Sequence, residues 1–107
     1  MDTITRPGIH EDTSTRDELE PLYHLILLDD NHHTYQYVIT MLADLFGYSP
    51  EKGYAIACVV DSQGQAILMT GPREEAERKQ AQIHAYGPDP LMAISQGSMS
   101  AILEPAE

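Results

Sequence analysis

The sequence predicts an α+β fold, a small two-layer sandwich in which three helices cover one face of a three-stranded sheet in the order β-α-α-β-α-β. Three apolar runs are too short for stable helices and are bounded by turn residues, a pattern typical of strands. The segments between them carry helical periodicity or helix caps. Because helices separate the strands, no two strands can form a hairpin, and the 107 residues suffice for one core.

The first strand and the first helix have the clearest patterns. Residues 22–28, LYHLILL, form a continuous apolar run after Pro21, and the polar residues 29–33, DDNHH, end it. Thr34 is a suitable N-cap for the helix that follows, and Gly47 is a suitable stop. The apolar residues of this helix recur at the spacing of one helix face: Tyr35, Val38, Ile39, Leu42, Leu45 and Phe46.

Caps and turns predict the second helix and the second strand. The triplet 49–51, Ser-Pro-Glu, combines a cap residue, proline at the first helical position and an early acid, so a helix should run to about Val60. Its packing residues are expected to be Tyr54, Ala57, Cys58 and Val59. Residues 61–64, DSQG, have the composition of a turn, and residues 66–69, AILM, predict a second buried strand.

The rest of the chain predicts a polar helix, a loop and an edge strand. Residues 70–72 should start the third helix, and residues 86–88 should end it. Its inner face is expected to carry Ala76, Gln80 and Ile83. A loop that includes Pro88 to Gly97 then leads to residues 98–103, SMSAIL, as an edge strand that Pro105 ends.

Composition limits the partners and the compartment. Residues 1–20 contain six acids and few aliphatics, so we expect a mobile acidic tail before a domain at 21–107. The net charge of -11 disfavours nucleic acid and anionic membranes as partners. The single cysteine, Cys58, cannot form an intrachain disulfide, and no stretch has the apolar length of an export signal or a membrane span. These features predict a soluble, cytoplasmic protein.

No motif predicts catalysis or a cofactor. Cys58 stands in an apolar stretch where a thiol is usually inert, and serine nucleophile motifs and glycine-rich phosphate loops are absent from the sequence. A metal site made of His24, His32 and His33 with the acids at 29 and 30 is an alternative to a solvated loop. Because adjacent histidines diverge in most backbone conformations, the solvated loop is favoured.

The turn Asp29, Asp30 and Asn31 is the chemically distinctive feature of the sequence. It stands between a buried strand and a helix whose first turn holds Tyr35 and Val38. Carboxylates next to an apolar hollow suit an ammonium group attached to a hydrophobic side chain. The alternative is an ordinary turn rich in Asp and Asn.

Residues 23–38, YHLILLDDNHHTYQYV, resemble the signature of the ClpS family, which is roughly YKVILxNDDxTPMEFV. Residues 63–66, QGQA, and 74–79, EEAERK, resemble two further family motifs in the same order and spacing. The resemblance covers about four fifths of the chain, although the loop Pro88 to Gly97 is longer than in the family. It implies a non-enzymatic adaptor that holds a substrate by its free N-terminus, the N-degron, and delivers it to a ClpA-type unfoldase.

The resemblance also implies site residues, position by position. The family's amine-binding turn falls on Asp29, Asp30 and Asn31, and its amine-binding histidine falls on Asp61. Residues of the side-chain pocket fall on Tyr35, Val38, Ala57 and Val60, where Tyr35 and Ala57 replace methionines. The unfoldase-facing acid and lysine fall on Glu74 and Lys79.

The resulting hypothesis is a monomeric ClpS-type adaptor, a divergent member of the family, that needs no cofactor or metal. Its expected partners are N-degron peptides or proteins and a ClpA-type AAA+ unfoldase. The alternative is a domain of the same fold that binds an internal peptide or another protein without recognising an amine.

Overall fold

The computed structural model describes residues 20–106 and has the predicted order of elements. The strands are β1 (Leu22–Leu28), β2 (Gln65–Pro72) and β3 (Ser100–Pro105). The helices are α1 (Tyr35–Phe46), α2 (Pro50–Gln63) and α3 (Arg73–His84). The acidic segment expected at 1–20 lies, except for Glu20, outside the described residues.

β1 is the centre of the sheet, which has the order β2-β1-β3, and both of its neighbours run antiparallel to it. Leu25 and Leu27 are fully buried on the face that the helices cover. The core cluster joins them to two or more buried residues from each helix, so all three helices pack on one face of the sheet. The predicted two-layer α+β fold is confirmed.

Local chemistry explains the helix boundaries. Thr34 caps α1 by accepting a hydrogen bond from the Tyr37 N–H, and Ser49 caps α2 in the same way through the Lys52 N–H. Gly47 and Gly64 end these two helices in the left-handed conformation, at φ of 71° and 86°. Both N-caps and the stop at Gly47 agree with the prediction.

The face of α2 that packs inward differs from the predicted one. Tyr54 and Val59 were expected to pack inward, but they are 54% and 42% exposed, so that prediction is wrong. The buried residues are Ala57, as predicted, and Gly53 and Val60, which were not among the predicted packing residues. A Cβ atom at residue 53 would lie 3.2 Å from the Cα of Ile39, so glycine lets α1 and α2 approach closely. α2 also continues to Gln63 rather than ending near Val60, because Gly64 is the first residue with a left-handed conformation.

Three other segments depart from the prediction. Residues 70–72 were expected to start a helix, but they extend β2, which pairs with β1 as far as Pro72. β2 is buried on one face only: Ala66 and Leu68 face the core, and Ile67 is 51% exposed on the uncovered face. β3 lies two residues later than predicted, and Pro105 belongs to it, as an edge strand permits.

Candidate functional site

The turn from Asp29 to His33 is held in a defined shape by its own side chains. The Asp29 carboxylate accepts a hydrogen bond from the Asn31 N–H, and the Asp30 carboxylate accepts one from the His32 N–H. Asn31 has a φ of 62°, a left-handed conformation that Asn adopts more readily than most residues. The Asp29 N–H donates to the Gly64 carbonyl at 3.0 Å, which joins the turn to the end of α2. The turn therefore meets the last turn of α2 at the end of the sheet.

A cavity of about 160 Å³ lies where this turn, α1 and α2 come together. Seven of the eight residues predicted for the amine and side-chain sites line it: Asp29, Asn31, Tyr35, Val38, Ala57, Val60 and Asp61. Val38, Ala57 and Val60 are buried and form its apolar part. The seven residues come from segments about 30 residues apart in the sequence, and the packing of α1 on α2 brings them together.

Asp61 and Tyr35 join the two helices beside the cavity. The Tyr35 hydroxyl donates a hydrogen bond of 2.7 Å to Asp61 Oδ2. This hydrogen bond raises the pKa of Tyr35 above its usual value, because the neutral hydroxyl is the donor. Asp61 was expected in a turn after α2, but it lies in the last turn of the helix. Its carboxylate has two oxygens and can accept further hydrogen bonds from a ligand.

The electrostatic field at the cavity suits a cation. The carboxylates of Asp29 and Asp61 line it, and the partially negative C-terminal end of α2 lies beside them. The partially positive N-terminal end of α1 is next to the buried Asp89 carboxylate, which accepts a hydrogen bond of 2.6 Å from the Thr34 N–H. An ammonium ion in the cavity would therefore be attracted rather than repelled.

Asp30 is the one predicted amine-site residue that does not line this cavity. Its carboxylate lies 2.8 Å from Nδ1 of His33, whose side chain is only 3% exposed. Nε2 of His33 lies 2.8 Å from the carbonyl oxygen of Gly97. The prediction of a solvated loop is therefore wrong for His33, because its side chain links the turn to the loop before β3.

Sequence reasoning missed three residues of the cavity wall: His33, Thr34 and Met99. Met99 is 2% exposed and immediately precedes β3. In the sequence it lies about 40 residues after Ala57, the α2 residue that lines the same cavity. No local pattern connects it to the site. The adjacency of His33 and Thr34 to the acidic turn was a usable signal for those two residues.

Glu74 and Lys79, predicted to contact an unfoldase, point in different directions. Positions five residues apart on an α-helix are separated by about 140° around the axis. Glu74 is exposed in the first turn of α3, where an acid interacts favourably with the helix dipole. The Lys79 ammonium donates to the carbonyl of Leu45 in the last turn of α1, and it lies 5.1 Å from the ring centre of Phe46. Lys79 therefore connects α3 to α1.

Within residues 20–106, no three His, Cys, Asp or Glu side chains are grouped so that they could hold a metal ion. Across the same residues, every helix falls short of the length and apolarity that a membrane crossing requires.

A small two-layer domain with a cavity that combines apolar walls and carboxylates belongs to the class of ligand-binding domains. Comparison with known proteins identifies the family. The profile of the family described as "ATP-dependent Clp protease adaptor protein ClpS" matches residues 18–93. This chain belongs to the ClpS family, as the sequence predicted.

Individual relatives agree with this assignment. The ATP-dependent Clp protease adapter protein ClpS of Desulforapulum autotrophicum is 31% identical over 86 residues, which cover 77% of this chain and 83% of that protein. The ClpS of Salmonella paratyphi B is 35% identical over 75 residues, which cover 68% and 71%. The solved structure of Agrobacterium tumefaciens ClpS2 bound to L-phenylalaninamide matches with a TM-score of 0.69 and 22% identity, over 80% of this chain and 98% of that chain. That structure shares the fold.

Proposed function

We propose that this chain binds the free N-terminus of substrate proteins and delivers them to a ClpA-type AAA+ unfoldase of the Clp protease. The observation that carries the proposal is the cavity between the acidic turn, α1 and α2. One end of it offers carboxylates to an α-ammonium group, and the other offers apolar walls to the first side chain. The backbone of an internal peptide segment carries no ammonium group and would not match the negative charge of Asp29 and Asp61.

The size of the cavity supports a substantial apolar side chain. A volume of about 160 Å³ is close to the roughly 150 Å³ of an engineered protein cavity that binds benzene. The ClpS2 relative was solved with L-phenylalaninamide, a molecule that has a free α-amino group and an aromatic side chain. The same two chemical features fit the two parts of this cavity.

The proposed roles of the amine-site residues follow from their positions. Asp61 and Asp29 receive the α-ammonium, and Asn31 contacts the adjacent backbone of the ligand. Asp30 supports the turn through His33 rather than touching the ligand. Val38, Ala57 and Val60 surround the first side chain, and Tyr35 lies on the exposed side of the cavity.

Calorimetry with a free and an N-terminally acetylated peptide of the same sequence tests the amine site. The free peptide should bind the wild-type protein, and the acetylated peptide should bind much more weakly because acetylation removes the charge. Asp61→Asn should lower the affinity for the free peptide by about tenfold, since the substitution removes a charge-assisted hydrogen bond. Glu51→Gln, which removes an exposed acid from the first turn of the same helix, is the matched control and should leave affinity unchanged.

Equal affinity for the two peptides would contradict amine recognition. It would instead support the alternative, in which this fold binds an internal peptide or another protein. If Asp61→Asn leaves the affinity unchanged and the protein still prefers the free peptide, Asp61 does not bind the amine, but the proposed function stands.

Delivery is proposed to use the acidic segment at 1–20 and the exposed Glu74. The acidic segment at 1–20 engages the unfoldase channel, and Glu74 on α3 contacts the unfoldase surface. Removing residues 1–18 should therefore leave peptide affinity unchanged and slow degradation of the bound substrate by the cognate protease. A truncated protein that delivers substrate at the full rate would remove the segment from this role.

A further inference from the structure

The cavity between the acidic turn, α1 and α2, which we propose binds the ligand's amine, is called the amine cavity below. A second cavity, of about 320 Å³, lies on the other side of α1 and is twice as large. Its walls are the rings of Tyr37, Tyr86, Pro88 and Pro90 together with the side chain of Leu91. Apart from Tyr37, these residues follow α3 and belong to the segment that leads to β3. We call this second cavity the loop groove.

Several polar atoms around the loop groove have hydrogen-bond partners within the protein. The Tyr37 hydroxyl donates to the Gly87 carbonyl at 2.6 Å, and the Tyr86 hydroxyl donates to Asp44 at 2.5 Å. The two carboxylate oxygens of Asp89 accept hydrogen bonds from the Thr34 and Leu91 N–H groups. What the groove offers to a ligand is therefore mainly ring faces and the aliphatic Leu91, whose residue is 64% exposed.

The loop groove is held in place from several directions. Gly97 is bonded to His33, the Gly87 N–H donates to the Ser98 hydroxyl at 2.6 Å, and the Asp89 N–H donates to the Ser95 hydroxyl at 2.8 Å. Because these contacts hold the loop, an occupant meets a formed surface and the loop need not be ordered on binding. Leu91 adds an exposed aliphatic side chain to the proline and tyrosine residues of the groove, so these residues form one apolar surface.

The loop groove and the amine cavity lie on opposite sides of the first turn of α1, and one hydrogen bond joins their walls. Thr34 lines the amine cavity, and its N–H is bonded to Asp89, which lines the loop groove. Along α1, Tyr35 and Val38 face the amine cavity, while Gln36, Tyr37 and Thr40 face the groove. A polypeptide anchored in the first cavity has to cross only this turn to reach the second.

We propose that the loop groove binds an apolar side chain at the fourth or fifth position of the same substrate whose N-terminus occupies the amine cavity. This inference rests on the proposed function, because the amine site fixes the register of the peptide. A helix with its side chains is about 10–12 Å across, and an extended chain advances about 3.3–3.6 Å per residue. Crossing the turn therefore takes about three to four residues after the first.

A second copy of this chain is a less suitable occupant. Its net charge of -11 makes copies repel one another, and Asp44 and Asp89 lie at the groove itself. The substrate is a more suitable occupant. Once its N-terminus is bound in the amine cavity, the residues that follow are held near the groove, so even a modest apolar contact there adds to affinity.

The inference is tested by measuring the affinity of a series of peptides. All have the same length and the same N-terminal residue with a free amine. Serine occupies positions 2 to 7 in the parent peptide, and leucine replaces it at one position at a time. Leucine at position 4 or 5 should strengthen binding to the wild type by about threefold to tenfold, as expected for partial burial of one aliphatic side chain. Leucine at position 7 should have no effect.

Two variants test whether the gain in affinity from leucine at position 4 or 5 arises in the loop groove. Leu91→Ser should abolish it, and the exposure of residue 91 keeps the fold intact. Thr40→Arg, on the exposed side of α1 that faces the groove, should abolish it independently by filling the space. Ile94→Ser is the control, because Ile94 is 57% exposed on the same loop but does not line the groove.

The outcomes separate this inference from the proposed function. If the free amine is required but leucine has no effect at any position, or its effect survives both Leu91→Ser and Thr40→Arg, the groove inference is wrong and the adaptor function stands. If acetylated and free peptides bind equally, the amine site is wrong, and the register that this inference takes from it is wrong as well, even where the gain from leucine still depends on Leu91.

Discussion

Tyr35 and Asp61 are joined by a hydrogen bond of 2.7 Å that connects the first turn of α1 to the last turn of α2. Residue 35 is 37% exposed, and its ring lies edge-on to Tyr54 at 5.6 Å between ring centres. The hydrogen bond uses Oδ2 of Asp61 and fixes the direction of the carboxylate. Tyr35 is therefore both a wall of the cavity and the group that orients Asp61, and the proposed function gives it two ways to affect a ligand.

Removing the Tyr35 hydroxyl should weaken the binding of free N-terminal peptides. In Tyr35→Phe the ring remains, but the Asp61 carboxylate becomes free to rotate, so an ammonium ligand must order it on binding. We expect affinity to fall by roughly twofold to tenfold, less than in Asp61→Asn. Calorimetry with one free peptide measures the difference, and an affinity equal to that of the wild type would show that Asp61 needs no support from Tyr35.

The same hydrogen bond predicts a pH effect that can be measured without a ligand. The bond to Asp61 raises the pKa of Tyr35, so its hydroxyl should remain protonated above pH 10, the usual pKa of tyrosine. In Asp61→Asn the pKa of Tyr35 should fall towards 10. Tyr86 is an internal control, because burial and its bond to Asp44 raise its pKa to about 12, and residue 61 is not among the causes. Ring chemical shifts followed by NMR across alkaline pH report both groups.

The backbone of Asn31 should matter for stability more than its side chain does. At a φ of 62° a glycine is tolerated, whereas a β-branched residue is strained by about 1–2 kcal/mol. Asn31→Gly should therefore keep the melting temperature near that of the wild type, and Asn31→Val should lower it. Peptide affinity of Asn31→Gly then measures the contribution of the side chain alone. Equal melting temperatures for the two variants would mean that the turn relaxes without cost.

Glu74 and Lys79 should separate unfoldase binding from stability. Glu74 is exposed, so Glu74→Lys should weaken unfoldase binding and lower the melting temperature only modestly, through the reversed charge in the first turn of α3. Lys79→Met should lower stability by about 1 kcal/mol, because it removes the ammonium that bonds the last turn of α1. Melting curves and binding to the isolated N-terminal domain of the unfoldase distinguish the two effects. Normal unfoldase binding by Glu74→Lys would remove Glu74 from the interface.

The elements that could be predicted are those with local signals. The strand Leu22–Leu28 is a continuous apolar run, and Thr34, Ser49 and Gly47 cap helices through contacts within four residues. Of the buried residues of α2 only Ala57 was predicted, because large apolar residues such as Tyr54 suggested a different face, whereas the close approach of α1 places Gly53 inward. Tertiary packing determines which face of α2 is buried, and the periodicity of apolar residues does not reveal it.

The acidic turn beside Tyr35 and Val38 was predictable from the residues themselves, whereas Ala57, Val60 and Asp61 entered the predicted site only through the resemblance to the ClpS family. Residues from the turn and from the end of α2 meet there because α1 packs on α2, and no spacing rule connects Asn31 to Asp61. The roles of His33 and Asp89 were not predictable, since each acts through a partner more than 50 residues away. The long loop, which looked like a connection in the sequence, is in the structure a wall of the loop groove and a support for the N-terminus of α1.

Asp89 should be a major source of stability for that loop. Burial acts to raise the pKa of its carboxyl group, but hydrogen bonds from the Thr34 and Leu91 N–H groups outweigh burial, and the pKa is lowered overall. The residue is only 2% exposed, so Asp89→Asn places an amide N–H₂ opposite one of these donors and should cost about 1–3 kcal/mol at pH 7. We expect the melting temperature to fall by several degrees or more.

The pH dependence of this difference identifies its cause. Because the pKa of Asp89 is lower in the folded than in the unfolded protein, the carboxylate stabilises the fold fully above the unfolded value of about 3.9. That contribution is lost as the pH falls through the folded value. The gap in melting temperature between the wild type and Asp89→Asn should therefore be constant from pH 7 to about 5 and shrink below about pH 4. Asp44→Asn, which removes the carboxylate that Tyr86 contacts, is the control for the loss of one negative charge near the groove. A gap that stays constant to pH 3 would mean that Asp89 contributes by its shape, and that its charge does not hold the loop to α1.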